Sequence, residues 1–189
     1  MISITIKKAT KKAHLDLEKK VIRQLKAIRN EQDYADFLSY FYAYFSHLEK
    51  ALGPFIDESS IPYYNERRNA TYLKRDLETI GYENGSLPGT VVPDIHNHLE
   101  ALGALYVMEG SVMGGKIIVK ILEKQGITRG VSFFSGYGEH TEKKWTAFTK
   151  AMDEQVTGEA QKATVIRAAN ETFACFAKVF DHGNKILQE

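Results

Sequence analysis

Apolar residues recur at steps of three and four through the first part of the chain, the spacing that puts side chains on one face of an α-helix. This pattern predicts a first helix over 6–28. It also predicts a second helix over 34–52, with Asn30 as its cap and the Gly53-Pro54 pair as its stop. The apolar face of this second helix is unusually rich in aromatic residues, so we expect it to build much of the core. The apolar positions inside the first helix are Ala9, Ala13, Leu17, Val21 and Leu25.

The rest of the chain follows the same helical period. A third helix is predicted over 65–80, and a loop rich in Gly, Pro, Asn and Ser follows it over 81–93. Asp94 stands where a cap belongs, before a helix of roughly thirty residues. No strand pair or internal repeat is evident, so the pattern predicts one all-α domain over 1–189 with about six or seven helices. The remaining predicted elements are the long helix over 95–124, a loop over 126–138, and helices over 139–156 and 158–187.

Composition limits the classes of protein that the chain can represent. With 189 residues, 43% of them hydrophobic, the chain can bury the core of one ordinary domain. Its 25 Lys and Arg against 24 Asp and Glu leave a net charge of +1, so we expect no nucleic-acid partner. The single cysteine, Cys175, excludes an intramolecular disulfide and is typical of a reducing compartment. No run of about 18 apolar residues is present and the first residues lack the order of a secretory signal, so we expect a cytoplasmic protein without a membrane span.

The predicted helix over 95–124 contains four glycines, Gly103, Gly110, Gly114 and Gly115. Each interior glycine costs about 1 kcal/mol of helix stability relative to alanine, so another contact must offset the loss. One explanation is close packing against a second helix, since Gly110 and Gly114 form a small-xxx-small pair. The other is that a flat ligand lies against bare backbone and that the helix bends over it. The adjacent pair Gly114-Gly115 favours the ligand.

His14 is the histidine best placed to bind a ligand. It lies on the inner stripe of the first predicted helix, and Glu18 follows at the i+4 position, where a carboxylate can orient a metal-binding imidazole. Lys7 stands two turns earlier on the same side of the helix, roughly 10 Å along its axis. That separation suits a haem whose iron is bound by His14 and whose propionate meets an ammonium. Taken alone, Lys7 is more simply a solvated surface lysine.

Other enzyme classes lack their motifs. The chain has no Glu-x-x-His pair of a helical di-iron site, no G-x-S-x-G elbow and no G-x-x-x-x-G-K-[ST] phosphate loop. The segment Asp94–His98 resembles a metal cluster, yet Asp94 is explained as a helix cap and residues two apart point in different directions. Cys175 stands in an apolar helical stretch and is predicted to be buried and unreactive. The Arg67-Arg68 pair is predicted to lie on a solvated face.

Two segments resemble the haem oxygenases, in particular their bacterial, biliverdin-producing branch. Residues 6–14, IKKATKKAH, look like the proximal-helix motif of that family, and residues 102–118, LGALYVMEGSVMGGKII, look like its distal helix. The loop FFSGYG and the final helix TFACFAKVF extend the resemblance over nearly the whole chain. It implies an all-α, multi-helix bundle in which haem lies between the first helix and a glycine-kinked distal helix. It also implies that haem is both cofactor and substrate, that O₂ is the co-substrate, and that ring opening gives biliverdin, CO and Fe²⁺ with electrons from a ferredoxin or a reductase.

The resemblance also implies roles for individual residues. His14 is the implied axial iron ligand, and Gly110 and Gly114 are implied to direct O₂ toward one meso carbon of the ring. In the best-known members an aspartate after the first of these glycines holds the water that delivers protons. Ser111 stands at that position here, as it does in several bacterial relatives, and water held by backbone groups would then take over this task. The other implied haem contacts are Lys7, Glu18, Gly115, Lys150 or alternatively Lys144, Phe173 and Phe180.

Three functions remain open on the sequence. The first is haem oxygenase, which is favoured because the histidine helix and the glycine helix occur together. The second is a protein of the same fold that stores, delivers or senses haem without cleaving it, motivated by the missing distal aspartate. The third keeps the fold without haem, as in thiamin-degrading relatives that use cysteine chemistry, but Cys175 matches no nucleophile motif.

Overall fold

The computed structural model describes residues 1–82 and 87–181, and every regular element in these ranges is helical. The all-α prediction is therefore confirmed. Two short 3-10 turns, Tyr64–Glu66 and Gly138–His140, join longer helices. The α-helices in the described ranges are α1 (Ile2–Ala9), α2 (Lys11–Ala27), α3 (Glu31–Leu52), α4 (Ala70–Thr79), α5 (His98–Lys124), α6 (Ser132–Ser135), α7 (Thr141–Gln155) and α8 (Glu159–Val179).

Some helix bounds differ from the predicted ones because local geometry interrupts the helical period. The first predicted helix is divided at Thr10, which ends α1 with φ −98° and ψ 0° and whose hydroxyl donates to the Ile6 carbonyl oxygen at 2.8 Å. The third begins at Ala70, because residues 64–66 form a 3-10 turn and the backbone then extends. The long predicted helix is the single helix α5, which its glycines do not interrupt.

Asparagine side chains cap α3 and α5, the two longest helices in the described ranges. Asn30 accepts a hydrogen bond from the Asp33 amide at the start of α3, so its predicted role is confirmed. At the start of α5 the cap is Asn97, which accepts from the Glu100 amide at 3.0 Å. The prediction of Asp94 as this cap is wrong, because the backbone becomes helical only after Asn97.

Parts of two predictions lie outside the described residues. The last predicted helix, over 158–187, is described as α8 up to Val179, and its predicted end lies beyond residue 181. Of the predicted loop over 81–93, residues 83–86 are outside the described ranges and 87–93 contain no helix. The remaining predicted loop, before α7, contains the short helix α6.

An aromatic cluster fills the interior between α3, α6 and α8. Phe41 lies at its centre, with its ring centroid 5.1 Å from each of the centroids of Phe37, Phe134 and Phe176. The rings meet at a tilt or edge to face, arrangements that aromatic pairs prefer. The aromatic face predicted for the second helix is therefore the side of α3 that builds the core.

α5 runs through the centre of the fold and packs most extensively against α8. At Gly103 an added Cβ atom would lie 2.3 Å from the Val165 carbonyl oxygen and 2.9 Å from the Ala168 Cβ atom. At Gly115 it would lie 2.1 Å from the Phe134 carbonyl oxygen. Both positions are far inside van der Waals contact, so only glycine permits these two approaches. Close packing therefore accounts for two of the four helical glycines.

α5 is also the one helix in the described ranges that is long and apolar enough to cross a membrane. Its most apolar 18-residue window has a mean hydropathy of 1.3, and 56% of that window is buried inside the fold. The core helix of a globular domain passes the same test, so this length and composition are weak evidence for a span.

Gly103→Ala and Gly114→Ala should change stability in opposite directions. The added methyl group at position 103 must push α8 away from α5, and overpacking of this kind costs about 1–3 kcal/mol. Nothing lies within 4 Å of a Cβ atom at Gly114, so alanine there should add about 1 kcal/mol through helix propensity. Urea unfolding of the ligand-free protein, followed by circular dichroism, measures both changes. Equal effects of the two substitutions would contradict the packing account.

Candidate functional site

Two contacts fix how α2 lies along α5. At one end the Tyr106 side chain lies beside that of Thr10: burial raises the pKa of Tyr106, and the Thr10 side chain opposes that rise. At the other end the Gln125 side-chain amide donates to the Leu25 carbonyl oxygen at 3.0 Å. The two helices therefore run in the same direction. The stretch between these contacts contains both the histidine and the glycines that the sequence predicts as the site.

His14 presents its imidazole at the surface of this stretch. The residue is exposed, and its ring meets the ring of Phe173 with centroids 5.6 Å apart and planes at 75°. Phe173 is buried, so α8 holds one side of the imidazole. The rings of His47, His96 and His98 bond to protein groups, whereas the ring of His14 has no hydrogen-bond partner in the described part of the chain. Its nitrogens are therefore available to an external ligand.

One face of α5 turns toward α2. Tyr106, Gly110 and Gly114 follow one another at intervals of four residues and so share one side of the helix. Because Tyr106 contacts Thr10, this side is directed at the start of α2. The glycines that follow Tyr106 therefore lie on the wall of α5 nearest to His14.

The glycine face of α5, defined as Gly110, Met113, Gly114 and Ile117, is open. A Cβ atom at Gly114 would meet nothing within 4 Å, and one at Gly110 would touch only the Trp145 ring, at 3.6 Å. Met113 and Ile117 are 48% and 64% exposed. Apolar side chains beside bare backbone form a wall that suits a flat, largely apolar ligand. The ligand explanation thus fits Gly110 and Gly114, while packing accounts for the other two glycines.

α1 and α7 pack antiparallel beside this face. The Ser3 amide and hydroxyl donate to the Asp153 carboxylate at 2.9 and 2.6 Å. At the other end the Trp145 ring lies 5.6 Å from the Tyr106 ring, near the residue that ends α1. The start of α1 therefore meets the end of α7, and the end of α1 meets the start of α7.

This antiparallel packing brings Lys7 and Lys150 to the same stretch of the two helices. Lys7 lies one turn after Ser3 in α1, and Lys150 lies one turn before Asp153 in α7. Both lysines therefore lie between the serine–aspartate contact and the end of α1 that is near the glycine face. Both residues are exposed, and Lys150 has only a long surface ion pair with Glu154, at 3.9 Å. Lys144, the alternative candidate, instead donates to the Glu66 carboxylate at 2.8 Å. The geometry favours Lys150, together with Lys7, as the group that meets an anionic ligand edge.

Three other predicted site residues make no contact with the imidazole. Glu18 is exposed and forms no hydrogen bond with the ring within the described ranges. Gly115 is buried against the backbone of α6. Phe180 is fully buried in the aromatic cluster. Of the two predicted aromatic contacts only Phe173 touches His14, and the roles of the other residues stay predictions.

Behind the glycine face lies a cluster of buried charges. Arg67 and Arg68 are part of it, so the prediction that they lie on a solvated face is wrong. Their backbone is extended between a 3-10 turn and α4, and both side chains enter the interior. Arg67 donates to the Glu109 carboxylate at 2.7 Å. Burial lowers the pKa of Arg67, but pairing with Glu109 more than compensates and leaves the pKa of Arg67 above its ordinary value. Local sequence gives no sign of this pairing, because the two residues are 42 positions apart.

Ser111 is bound into the same cluster. Its hydroxyl donates to the Met108 carbonyl oxygen at 2.6 Å and accepts from the Arg68 guanidinium. Arg68 also donates to the Phe133 carbonyl oxygen at 2.8 Å and lies 3.9 Å above the centre of the Phe133 ring. The hydroxyl proton of Ser111 is therefore directed at the backbone of α5.

A cavity of about 10 Å³ adjoins this cluster and is lined by Arg67, Glu109, Tyr137 and Lys144, among others. It holds about one water molecule and is far too small for a macrocycle. No group of three His, Cys, Asp or Glu side chains in the described ranges is arranged to hold a metal ion. A metal bound at His14 must therefore bring most of its ligands with it, as the iron of a porphyrin does. The candidate ligand site is the exposed surface between α2 and the glycine face, which we call the groove.

Comparisons with known proteins find similarity to one family. The heme oxygenase family model matches residues 90–182, and over 112 residues the chain is 28% identical to a heme oxygenase from Xanthomonas campestris pv. campestris (strain 8004). The chain is therefore similar to the heme oxygenase family over about half of its length. The match to the Xanthomonas protein covers 58% of this chain and 66% of that relative's length, slightly less than two thirds.

The fold is shared with solved haem oxygenases. The NO- and CO-bound heme oxygenase from Neisseria meningitidis has a TM-score of 0.77 at 20% identity, covering 96% of this chain and 91% of that one. Heme oxygenase-1 from the cyanobacterium Synechocystis sp. PCC6803, in complex with heme, has a TM-score of 0.76 at 21% identity, covering 98% and 94%. The heme oxygenase from Leptospira interrogans also has a TM-score of 0.76, at 17% identity, covering 96% and 98%. The haem oxygenase fold therefore extends over nearly the whole chain.

The family match depends on the glycine helix more than on the histidine helix. The matched residues 90–182 include all of α5 and Gly110–Gly115, but neither His14 nor Lys7. The place of His14 beside the glycine face follows instead from the contacts of α2 with α5 and α8.

Glu109→Gln should destabilise the protein more than Glu31→Gln. Glu109 neutralises a buried guanidinium, and breaking such a pair from one side costs about 3–5 kcal/mol. Glu31 pairs with Arg129 at the surface, where an ion pair contributes about 0.2–1 kcal/mol. Urea unfolding of the two variants measures the difference, and similar losses would contradict the burial of the charge cluster.

Proposed function

We propose that the protein binds haem in the groove between α2 and α5 and cleaves it with O₂ to biliverdin, CO and Fe²⁺. We further propose that it acts in the cytoplasm and takes electrons from a ferredoxin or a reductase. One observation carries the proposal: His14, an exposed imidazole without a hydrogen-bond partner in the described ranges, lies on the stretch of α2 that runs along the open glycine face. An imidazole on one wall and bare backbone on the other suit a planar ligand whose metal needs one protein ligand.

The groove residues fit haem. His14, as a neutral imidazole, offers a nitrogen lone pair to iron, and Phe173 limits the orientations of its ring. The space at Gly114 lets a macrocycle approach the backbone of α5. Lys7 and Lys150 supply two exposed ammonium groups for propionate carboxylates at one end of the groove.

Bound haem supplies the iron that activates O₂ and the ring that is opened. The chain holds the ring from the His14 side and leaves its other side to Gly110 and Gly114. Bare backbone there leaves room for a diatomic molecule and fixes the direction from which it meets the ring. The exposed side chains of Met113 and Ile117 become covered when the groove is filled, which excludes water from the same side.

Proton delivery does not start from the Ser111 hydroxyl hydrogen. That hydrogen is directed at the Met108 carbonyl oxygen, and a lone pair of the same hydroxyl receives the Arg68 guanidinium. We therefore assign proton delivery to water held by backbone groups at the glycine face. Ser111 fixes the local backbone of α5 rather than acting as the acid.

A protein that holds haem without cleaving it is the second candidate function. It is favoured by Ser111, whose hydroxyl is already engaged where the best-known members carry an aspartate. Cysteine-based chemistry on the same fold has less support. Cys175 is half-buried, and burial raises the pKa of its thiol, which lowers the fraction of reactive thiolate.

An absorbance time course separates oxygenase from haem carrier. The purified protein receives one equivalent of hemin and then ascorbate or a ferredoxin system in air. Decay of the Soret band into a broad red bilin absorption is expected. A stable Soret band under continuous electron supply would contradict cleavage, and no spectral change on adding hemin would contradict haem binding itself.

His14→Ala should remove the axial ligand and leave the fold intact, because the imidazole is exposed and makes no hydrogen bond in the described ranges. The ferric haem spectrum should change, and added imidazole should restore it. His140→Ala is the matched control, since this exposed histidine lies at the start of α7. Absorbance spectra with and without imidazole make the measurement, and an unchanged ferric spectrum for His14→Ala would exclude it as the ligand.

Lys150→Met should weaken haem binding about two- to fivefold, the range expected for a solvent-exposed ion pair. Lys144→Met is the control on the same helix, because its ammonium is engaged with Glu66. Hemin titration followed by absorbance gives both affinities. If Lys144→Met loses hemin affinity and Lys150→Met does not, Lys144 and not Lys150 is the lysine that meets the propionate.

A further inference from the structure

Arg68 is a buried cation without an ion-pair partner in the described ranges. Its residue is 4% exposed, and its Nη atoms donate to the carbonyl oxygens of Phe133 and Met108, at 2.8 and 3.4 Å, and to the Ser111 hydroxyl. Its Nε atom is buried without a hydrogen-bond partner. Burial lowers the pKa of Arg68 to about 10, so the guanidinium keeps its charge at neutral pH.

The charged groups around Arg68 are committed to other partners. Glu109, from α5, binds Arg67 and accepts from the Tyr137 hydroxyl at 2.8 Å. Glu49, from α3, accepts from the first amide of α4, and burial raises its pKa. Asp76, from α4, accepts from backbone amides of α6. The positive charge of Arg68 is therefore only partly balanced.

The charge of Arg68 lies against the part of α5 that contains Gly110. Arg68 touches α5 at Met108, two residues before Gly110, and at Ser111, one residue after it. The guanidinium thus lies behind the turn that forms the glycine face, roughly one helix diameter, or about 10 Å, from the groove. An apolar side chain would fill the same interior space without the cost of burying a charge, so packing alone does not explain an arginine here.

We propose that Arg68 is a positioning residue that fixes the Ser111 hydroxyl and makes the groove favour anionic ligands of the bound haem iron. The inference rests on the proposed haem site. A unit charge about 10 Å away, at an effective dielectric constant of about 20, changes the affinity for an anion by roughly tenfold. The same positive charge lowers, by about one unit, the pH at which an acidic group in the groove loses its proton.

Azide serves as the anionic probe of ferric haem in the loaded protein. Arg68→Met should weaken azide binding by about tenfold and raise the pH midpoint of the acid-to-alkaline spectral transition by about one unit. Arg68→Lys retains the charge and should stay within about threefold of the original protein. Arg129→Met removes an exposed arginine that pairs with Glu31 and should change neither quantity.

The outcomes are distinct. If haem-loaded Arg68→Met has the azide affinity and the pH midpoint of the original protein, the inference is overturned and the proposed haem site still stands. Equal impairment of Arg68→Lys and Arg68→Met would also overturn it, since geometry and not charge would then be responsible. If Arg68→Met does not fold, Arg68→Gln replaces it, because its amide can still donate to the Phe133 carbonyl oxygen. Failure of the original protein to take up hemin would instead refute the proposed function.

Discussion

The close approach of α5 to its neighbours at Gly103 and Gly115 is the constraint on which the site depends. At each of these positions backbone meets backbone at a distance that no Cβ atom tolerates. The helical segment between them, with Gly110 and Gly114, is therefore held at both ends while its outer face stays open. Four glycines in one helix thus serve two purposes, and the stability lost through low helix propensity is offset by packing at the ends of the glycine segment.

The same helix is held from behind by polar groups. Glu109 and Ser111 flank Gly110 and bind Arg67 and Arg68, which enter the interior just before α4. A wall supported by both packing and charge-assisted hydrogen bonds suits the ligand-orienting role that we propose for it. The opposite wall is simpler, since His14 is steadied mainly by the ring of Phe173.

Local pattern was sufficient to predict much of the fold. The period of three and four predicted α3, and Asn30 was identified as its cap because capping chemistry acts within one turn. The predicted cap Asp94 is wrong and the cap is Asn97, because both residue types can cap and the sequence does not show where the backbone becomes helical. The division at Thr10 was likewise not predictable, because the apolar spacing continues through it.

The placement of the candidate site residues was predictable where it depends on spacing along one helix and not where it depends on distant partners. His14 and the open glycine at 114 follow from helical register. The burial of Arg68 depends on carbonyl and hydroxyl groups from α5 and α6, which are remote in sequence. The preference for Lys150 over Lys144 likewise depends on the antiparallel packing of α1 and α7.

A crystal structure of the protein with bound haem tests the central claim most directly. The account predicts iron bound by an imidazole nitrogen of His14, the ring between α2 and the glycine face of α5, and propionates directed toward Lys7 and Lys150. Iron bound by another residue, or haem outside the groove between α2 and α5, would contradict it.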